Sequence, residues 1–306
     1  MRNNFADVIY EEGLKDDRIC VVVADISPAG SIEKFRKKFP KRFINCGVAE
    51  QSMIGIAAGL ALEGYRPFCY TIATFALYRP FEMIRVDLAY QNLPVTIVGM
   101  GAGIIYSTLG STHHSMEDIS VASAIPNMRV FCPSDPLEMK KATRWCATKS
   151  KGPVYMRLGK VGEPILTKNS QDNFTIDKIR CIEKGKGNSY AILTYGTSLK
   201  LALELSTKMK KDKNCFPHVY TSNSIKPFDN NGIEEILKKF KKVIIIEENV
   251  PHGGLTSRVK CINSDTKNRS QILAFTLKDK FIHSYGTYKD ILNTHGLSLD
   301  KIFKKI

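Results

Sequence analysis

One glutamate, Glu50, occupies a position where a carboxylate can be held ready for proton chemistry. It lies between residues 43–48, an apolar run that predicts a buried strand, and residues 53–62, a Gly/Ala-rich segment that predicts a closely packed helix. The partial positive charge at a helix N-terminus stabilises an ionised carboxylate there. On this pattern alone, a purely structural role explains Glu50 better than a catalytic one.

Aromatic and histidine side chains follow Glu50 in two short segments. Phe75, Tyr78 and Phe81 recur at three-residue spacing, which by default is the spacing of a helix face turned toward a core. His113 and His114 stand together in the polar segment GSTHHSMEDIS. A histidine can take up and release a proton near neutral pH, so this segment is a candidate for acid–base chemistry.

Several motifs, in this order, resemble those of the pyrimidine-binding domain of transketolases and deoxyxylulose-phosphate synthases. Each motif is weak by itself, but the ordered set is specific and covers nearly the whole chain. The motifs are NCGVAEQSMIGIAAGLALEGYRP (45–67), ATFALYRPF (73–81), QNLPVTIV (91–98), GSTHHSMEDIS (110–120) and IPNMRVFCPSD (125–135). Further along, IIIEENVPHGGL (244–255) resembles a Glu-Glu…Gly-Gly stretch of the transketolase C-terminal domain.

This resemblance implies thiamine diphosphate as the cofactor. Glu50 would then be catalytic, hydrogen-bonding N1′ of the aminopyrimidine ring and favouring the imino tautomer that removes the proton from thiazolium C2. Tyr78 is the expected stacking partner of the ring, with Phe75 beside it. Phe81 and Ile54 would complete the apolar surroundings of the cofactor, which carries the difficult chemistry itself.

The same resemblance assigns substrate-binding residues. His113 matches the loop histidine that faces the reacting substrate, where it would shuttle a proton or bind a sugar hydroxyl, and His114 lies beside it. Arg157 matches an arginine that binds the substrate phosphate. Arg2 matches a second such arginine by its distance of 23 residues from Asp25.

Three departures from the family pattern fall on the surface that reads the sugar. Leu109 stands where the family has Asp, Gly101 where it has His, and Ala29 where it has Ser. A leucine cannot accept a hydroxyl proton, so the hydroxyl pattern that is recognised should differ. We therefore expect a specialised sugar, or a nucleotide-linked one, as substrate.

The sequence lacks the Gly-Asp-Gly motif with which this family holds the diphosphate through Mg²⁺. The resemblance is thus to one half of such an enzyme, without a metal site of its own. It implies a separately encoded N-terminal subunit that binds the diphosphate and Mg²⁺. An α2β2 assembly with the cofactor between subunits is the expected arrangement.

The elements that position these residues predict an α/β fold. Strand-like runs alternate with helical segments, which indicates a parallel sheet with helices on both faces. We expect a pyrimidine-binding domain at 1–165, a polar linker at 166–187 and a smaller α/β domain, similar to the transketolase C-terminal domain, at 188–306. The predicted strands are residues 19–26, 43–48, 66–72, 94–101, 128–133, 153–158, 190–196, 217–225, 242–249 and 272–277.

Composition excludes several classes of protein. No apolar run reaches the roughly 20 residues that span a bilayer, and the N-terminus does not have the order of a signal peptide. The eight cysteines are scattered without a CxxC pair, which predicts reduced thiols in a cytoplasmic protein. The net charge of +15 comes mainly from lysines, which predict a solvated lysine-rich face and not a nucleic-acid site. Anionic sugar phosphates or an acidic partner subunit would also suit this charge.

Two alternatives stay open. The β subunit of an α-keto-acid dehydrogenase also has a Gly-x-x-Glu-Gln and lacks the metal site, although the Thr-His-His loop favours transketolase. In a different class, the chain would be a scaffold half that kept the fold and lost the reaction. The substitutions at Ala29, Gly101 and Leu109 suggest this alternative. The joint retention of Glu50, Tyr78, His113 and Arg157 argues against it.

Overall fold

A computed structural model describes residues 1–25, 32–160, 162–167, 175–265 and 269–306. Two sheets organise the chain, one of seven strands and one of five. Helices cover both, and most strand pairs are parallel, which confirms the predicted α/β class. Among the described residues, no helix has the length and apolar character to cross a membrane.

The first sheet has the strand order β10-β5-β6-β4-β3-β1-β2. Its central strands are buried along their whole length, as expected for continuous apolar runs inside a parallel sheet. The strands are β1 (Ile19–Val23), β2 (Phe43–Asn45), β3 (Arg66–Ile72), β4 (Thr96–Met100), β5 (Arg129–Phe131), β6 (Val154–Leu158) and β10 (Ser224–Lys226).

Helices lie on both faces of this sheet and enclose two apolar cores. The helix α7 (Pro136–Lys149) has Asp135 as its N-cap, and this carboxylate accepts hydrogen bonds from the backbone N–H groups of Leu137 and Glu138. The helices are α1 (Arg2–Gly13), α2 (Glu33–Lys38), α3 (Glu50–Leu62), α4 (Ala73–Leu77), α5 (Phe81–Met83), a π-helical stretch (Ile84–Tyr90), α6 (Asp118–Ala124) and α7 (Pro136–Lys149).

The second sheet has the order β12-β11-β8-β9-β7. Its first strand falls inside the segment expected to be a linker and pairs antiparallel with β9 at the sheet edge. The strands are β7 (Ile179–Glu183), β8 (Tyr190–Thr194), β9 (His218–Ser222), β11 (Lys242–Ile246) and β12 (Gln271–Phe275). The helices are α8 (Leu199–Lys213), α9 (Asn230–Lys239), α10 (Leu255–Asp265), α11 (Tyr288–His295) and α12 (Leu299–Phe303).

The predicted strand 217–225 is two strands that belong to different sheets. β9 lies in the second sheet, and β10 crosses to the first, where it pairs antiparallel with β5. Asn223 is the residue between them, and its backbone oxygen accepts a hydrogen bond of 2.8 Å from the N–H of Cys132. The second half of the chain therefore supplies an edge strand of the first sheet.

Two predicted strands end earlier than expected. β1 stops at Val23, and Asp25 has a positive φ of 43° while its N–H donates to the Asn45 side chain at 3.2 Å. β2 stops at Asn45, and Gly47 follows with a φ of +69°. Both strands give way to turns because backbone in the left-handed region cannot continue a strand.

Candidate functional site

The candidate residues gather where parallel strands of the first sheet end. β2 leads to Glu50 at the head of α3, and β3 leads to Phe75 in α4. β4 leads into the loop that carries His113. In open α/β sheets, ligands bind at the carboxyl ends of the strands, so this edge is the place for a site.

Glu50 is the first residue of α3 and is only 4% exposed. One of its carboxylate oxygens accepts a hydrogen bond of 3.0 Å from Nη1 of Arg79. A buried carboxylate needs such a partner, because an unpaired charge away from water is costly. Arg79 was not expected from the sequence, although it lies inside the aromatic motif.

Phe75 lies between two of the candidate groups. The guanidinium carbon of Arg79 is 4.7 Å from the centre of its ring. The ring of His113 meets it edge-on, with centroids 5.3 Å apart. The structure thus brings together Glu50, Phe75 and His113, with Arg79 linking the first two.

Tyr78, Phe81 and Ile54 lie in or against the apolar core. Ile54 belongs to the apolar core and has no exposed surface, while Tyr78 and Phe81 are half-buried and pack against that core. Burial raises the pKa of the Tyr78 phenol above its usual range, and the carboxylates of Asp118 and Glu117 add to this rise. Of the predicted aromatic residues, Phe75 is therefore the one that contacts the other site groups.

His113 is the last residue of a short 3₁₀ turn, Ser111–His113, which is hydrogen-bonded to the second domain. The hydroxyl of Ser111 donates a 2.6 Å hydrogen bond to the backbone oxygen of Ile282. The Nδ1 atom of His113 lies 2.9 Å from the hydroxyl of Thr112. His114, in contrast, is buried, and burial lowers the pKa of its imidazole, so a neutral ring inside the protein is favoured there.

Arg157 is buried between the two domains. Its Nε donates to the Asp118 carboxylate at 3.0 Å, and its Nη2 donates to the backbone oxygen of Glu248 at 2.8 Å. The hydroxyl of Tyr155 donates to the same Asp118 oxygen at 2.7 Å. These contacts engage Arg157 inside the protein, so binding of a substrate phosphate stays a prediction that this arrangement does not favour.

Arg2 begins α1, where its backbone N–H donates to the oxygen of Lys160 at 3.0 Å. Its charge acts on Tyr106, whose pKa is raised by burial and lowered in part by Arg2. Tyr106 in turn lies edge-on to His113, with ring centroids 6.3 Å apart. Arg2 and His113 therefore approach the same aromatic ring, which keeps Arg2 near the predicted substrate side.

The three departures from the family pattern have different structural settings. Gly101 has a φ of +68°, and a Cβ there would lie 2.0 Å from the Tyr106 ring, so a histidine cannot occupy this position while Tyr106 stays in place. Leu109 is 46% exposed beside the 3₁₀ turn. Ala29 lies outside the described residues.

Comparison with known families gives two matches that together cover most of the chain. Residues 1–161 match the model "Transketolase, pyrimidine binding domain", and residues 180–302 match "Transketolase, C-terminal domain". The division agrees with the two sheets of the structure.

Individual proteins show the same similarity. The chain is 34% identical to a putative transketolase C-terminal section of Methanocaldococcus jannaschii, covering 100% of this chain and 95% of that protein. It is 30% identical to one subunit of an apulose-4-phosphate transketolase of Phocaeicola vulgatus, covering 99% and 95%. A 1-deoxy-D-xylulose-5-phosphate synthase of Alkaliphilus oremlandii is 32% identical over 97% of this chain but only 47% of its own length.

Solved structures agree. One described as "Split gene transketolase, inactive beta4 tetramer" superposes with a TM-score of 0.88 and 31% identity, covering 99% of this chain and 95% of that one. The transketolase of Campylobacter jejuni superposes with a TM-score of 0.83 at 19% identity, covering 99% of this chain and 46% of its own. The second match supports the fold alone.

Proposed function

Because this chain belongs to the transketolase family, with the pyrimidine-binding and C-terminal domains of that family, we propose that it is one subunit of a heteromeric transketolase. The proposed reaction is the transfer of a two-carbon ketol unit between sugars, dependent on thiamine diphosphate. The single observation that carries this proposal is the buried Glu50 carboxylate at the head of α3, with the ring of Phe75 joined to it through Arg79.

The described residues fit the pyrimidine end of the cofactor. Glu50 offers a carboxylate that is almost fully buried, and its ion-pair partner, Arg79, has a half-exposed side chain that can move away. Phe75 offers an aromatic ring on the same side. Thiamine diphosphate, when bound, supplies the nucleophilic carbon of the reaction.

Three residues of this chain then have defined roles in the proposed reaction. Glu50 holds a proton at N1′ of the aminopyrimidine, in a site from which water is largely excluded. Phe75 orients the ring by aromatic contact. His113, in contact with Phe75 and half-buried, exchanges a proton with the sugar hydroxyl that enters or leaves.

A separate subunit completes the enzyme in this proposal. Among the described residues, no group of three or more His, Cys, Asp or Glu side chains is placed to hold a metal ion. The diphosphate and Mg²⁺ would be held by a separately encoded N-terminal subunit in an α2β2 assembly. The names of the two relatives, one a C-terminal section and the other a single subunit of a transketolase, support this division.

The substrate is proposed to be a specialised sugar, phosphorylated or nucleotide-linked, handled in the cytoplasm. Leu109 presents an exposed apolar side chain at the position where the family has a carboxylate that binds a sugar hydroxyl. At Gly101, the ring of Tyr106 fills the space that a larger side chain would need. The loss of hydrogen-bonding groups changes which hydroxyl pattern is accepted, because a site without such groups no longer rejects a sugar that lacks the matching hydroxyl.

The test is a calorimetric titration with thiamine diphosphate and Mg²⁺, first of this chain alone and then of the chain with an N-terminal transketolase subunit. Weak binding alone and tight, metal-dependent binding by the pair is the expected result. Tight binding by the chain alone would overturn the two-subunit proposal, because this chain would then contain a diphosphate site of its own.

A further inference from the structure

The guanidinium of Arg79 makes two contacts at once in the candidate site. Nη1 lies 3.0 Å from a carboxylate oxygen of Glu50, and the guanidinium carbon lies 4.7 Å from the centre of the Phe75 ring. A flat group with N–H donors thus lies against both a carboxylate and an aromatic ring. These are the two surfaces that the proposed function assigns to the aminopyrimidine.

The two members of the ion pair differ sharply in exposure. The side chain of Glu50 is 4% exposed, and the residue is fixed in the first turn of α3. The side chain of Arg79 is 52% exposed and lies in the turn between α4 and α5. Glu50 is therefore the fixed partner, whereas Arg79 can leave into solvent without disturbing a helix.

The contact also engages the carboxylate that the proposed function assigns to the cofactor. Arg79 engages one oxygen of that carboxylate in a charge-assisted hydrogen bond. Glu50 acts on the cofactor by sharing a proton with N1′, which requires that oxygen region and a carboxyl group able to carry the proton. Because the guanidinium also lies over the Phe75 ring, an aminopyrimidine placed against both Glu50 and Phe75 would compete with Arg79 for the same space.

We infer that Arg79 is a placeholder for the aminopyrimidine: it satisfies Glu50 and covers Phe75 whenever the ring is not bound, and the cofactor must displace it. This inference rests on the proposed function of Glu50. It makes Arg79 a positioning residue that lowers cofactor affinity in the separate subunit, because its ion pair must be broken before the ring can bind.

The decisive experiment uses thiamine as the probe, since thiamine lacks the diphosphate and reports on the pyrimidine end alone. Calorimetric titration of Arg79→Met should show binding on the order of tenfold tighter than in the unmodified chain, equivalent to ~1.4 kcal/mol. Arg79→Lys, which keeps the charge but not the planar group, should give a smaller gain. Arg85→Met removes the same charge from an exposed position nearby and should change nothing.

A second arm tests whether the gain passes through Glu50. In the double variant Glu50→Gln/Arg79→Met, the gain should disappear, because the carboxylate that the probe seeks is gone. Arg79→Met should also lower the melting temperature, since it leaves a buried carboxylate unpaired. A merely structural arginine would change the melting temperature without any gain in thiamine binding.

The outcomes separate this inference from the proposed function. Unchanged or weaker thiamine binding by Arg79→Met, or an equal gain from Arg85→Met, overturns the placeholder role. Those results leave the proposed function intact if the chain still binds thiamine diphosphate with an N-terminal subunit. If the two-subunit complex does not bind the cofactor either, the proposed function fails and this inference fails with it.

Discussion

The Nε atom of Arg157 lies 3.0 Å from a carboxylate oxygen of Asp118, and both side chains are buried, at 7% and 0% exposure. The same guanidinium reaches the backbone of Glu248, just beyond the second sheet. Arg157 thus joins the two domains, with an ion pair to Asp118 in the first and a hydrogen bond to Glu248 in the second. The relative position of the domains therefore depends on these contacts.

Asp118→Asn should destabilise the protein strongly. Loss of the carboxylate leaves the Arg157 charge buried without its counter-ion, which costs about 3–5 kcal/mol in such settings. Chemical denaturation should show this fall in the free energy of unfolding. Asp300→Asn, at an exposed carboxylate with a 3.8 Å contact to Lys208, should change it by less than about 0.5 kcal/mol. A small effect of Asp118→Asn would mean that the pair does not hold the domains together.

Glu50→Gln should abolish most of the activity of the assembled enzyme and leave assembly unchanged. The amide has nearly the same shape but cannot exchange a proton with N1′, and a positioned acid–base group contributes about 10²–10⁴-fold in rate. Initial rates and analytical ultracentrifugation with an N-terminal transketolase subunit measure the two properties. Full activity in the variant would show that Glu50 is not catalytic.

Acid should destabilise the C-terminal helices through His295. Burial lowers the pKa of this imidazole to about 4, and the charges of His114, Lys278 and Lys280 add to the shift. The unfolded chain takes up the proton first, near its ordinary pKa of 6.5, so the free energy of unfolding should fall as the pH drops from 6.5 towards 4.

His295→Gln should reduce this pH dependence, because glutamine does not titrate in that range. Denaturation curves at several pH values between about 4 and 7.5 give the slope. His252→Gln, at a side chain that is 76% exposed, serves as the control and should keep the slope of the unmodified protein. An unchanged slope in His295→Gln would exclude this histidine as the source.

Gly101→Ala should destabilise more than Gly64→Ala. Both glycines have a positive φ, of 68° and 87°, so both substitutions strain the backbone. Only at Gly101 does the new Cβ meet another side chain, the ring of Tyr106, whereas nothing lies within 4 Å at Gly64. We expect a difference of about 1–3 kcal/mol in the free energy of unfolding.

Tyr106→Ala in the Gly101→Ala background should recover part of that difference. The two substitutions would then be non-additive, as expected for residues in contact. If the two glycine variants were equally stable, the Tyr106 ring would have moved aside at no cost, and steric exclusion of a larger residue at 101 would be wrong.

The sequence was most informative where burial is complete. β3 matches its predicted bounds and β6 agrees within one residue, because continuous apolar runs leave little ambiguity. β7 was missed because an edge strand exposes most of its residues, and only Arg180 within it is buried. The helix at Tyr288–His295 was also missed, although its capping box, formed by Thr287 and Asp290, is a signal that sequence alone carries.

The sequence predicted which residues belong to the site better than it predicted which of them contact each other. The family resemblance pointed to Glu50, Phe75 and His113, which the fold brings to one sheet edge. It gave no indication that Arg79 contacts two of them, because that contact depends on how the turn after α4 folds back over α3. Likewise, the burial of Arg157 depends on the docking of a second domain, which no local pattern reports.

The crossing of β10 into the first sheet has a consequence for biosynthesis. The strand that covers the outer edge of β5 is not made until the ribosome has passed Lys226, long after the rest of the first sheet has been translated. Until then, the nascent chain carries an open strand edge that other chains can pair with. We expect the first domain to mature only together with the second, so that premature termination near residue 187 yields an aggregating fragment instead of a free domain.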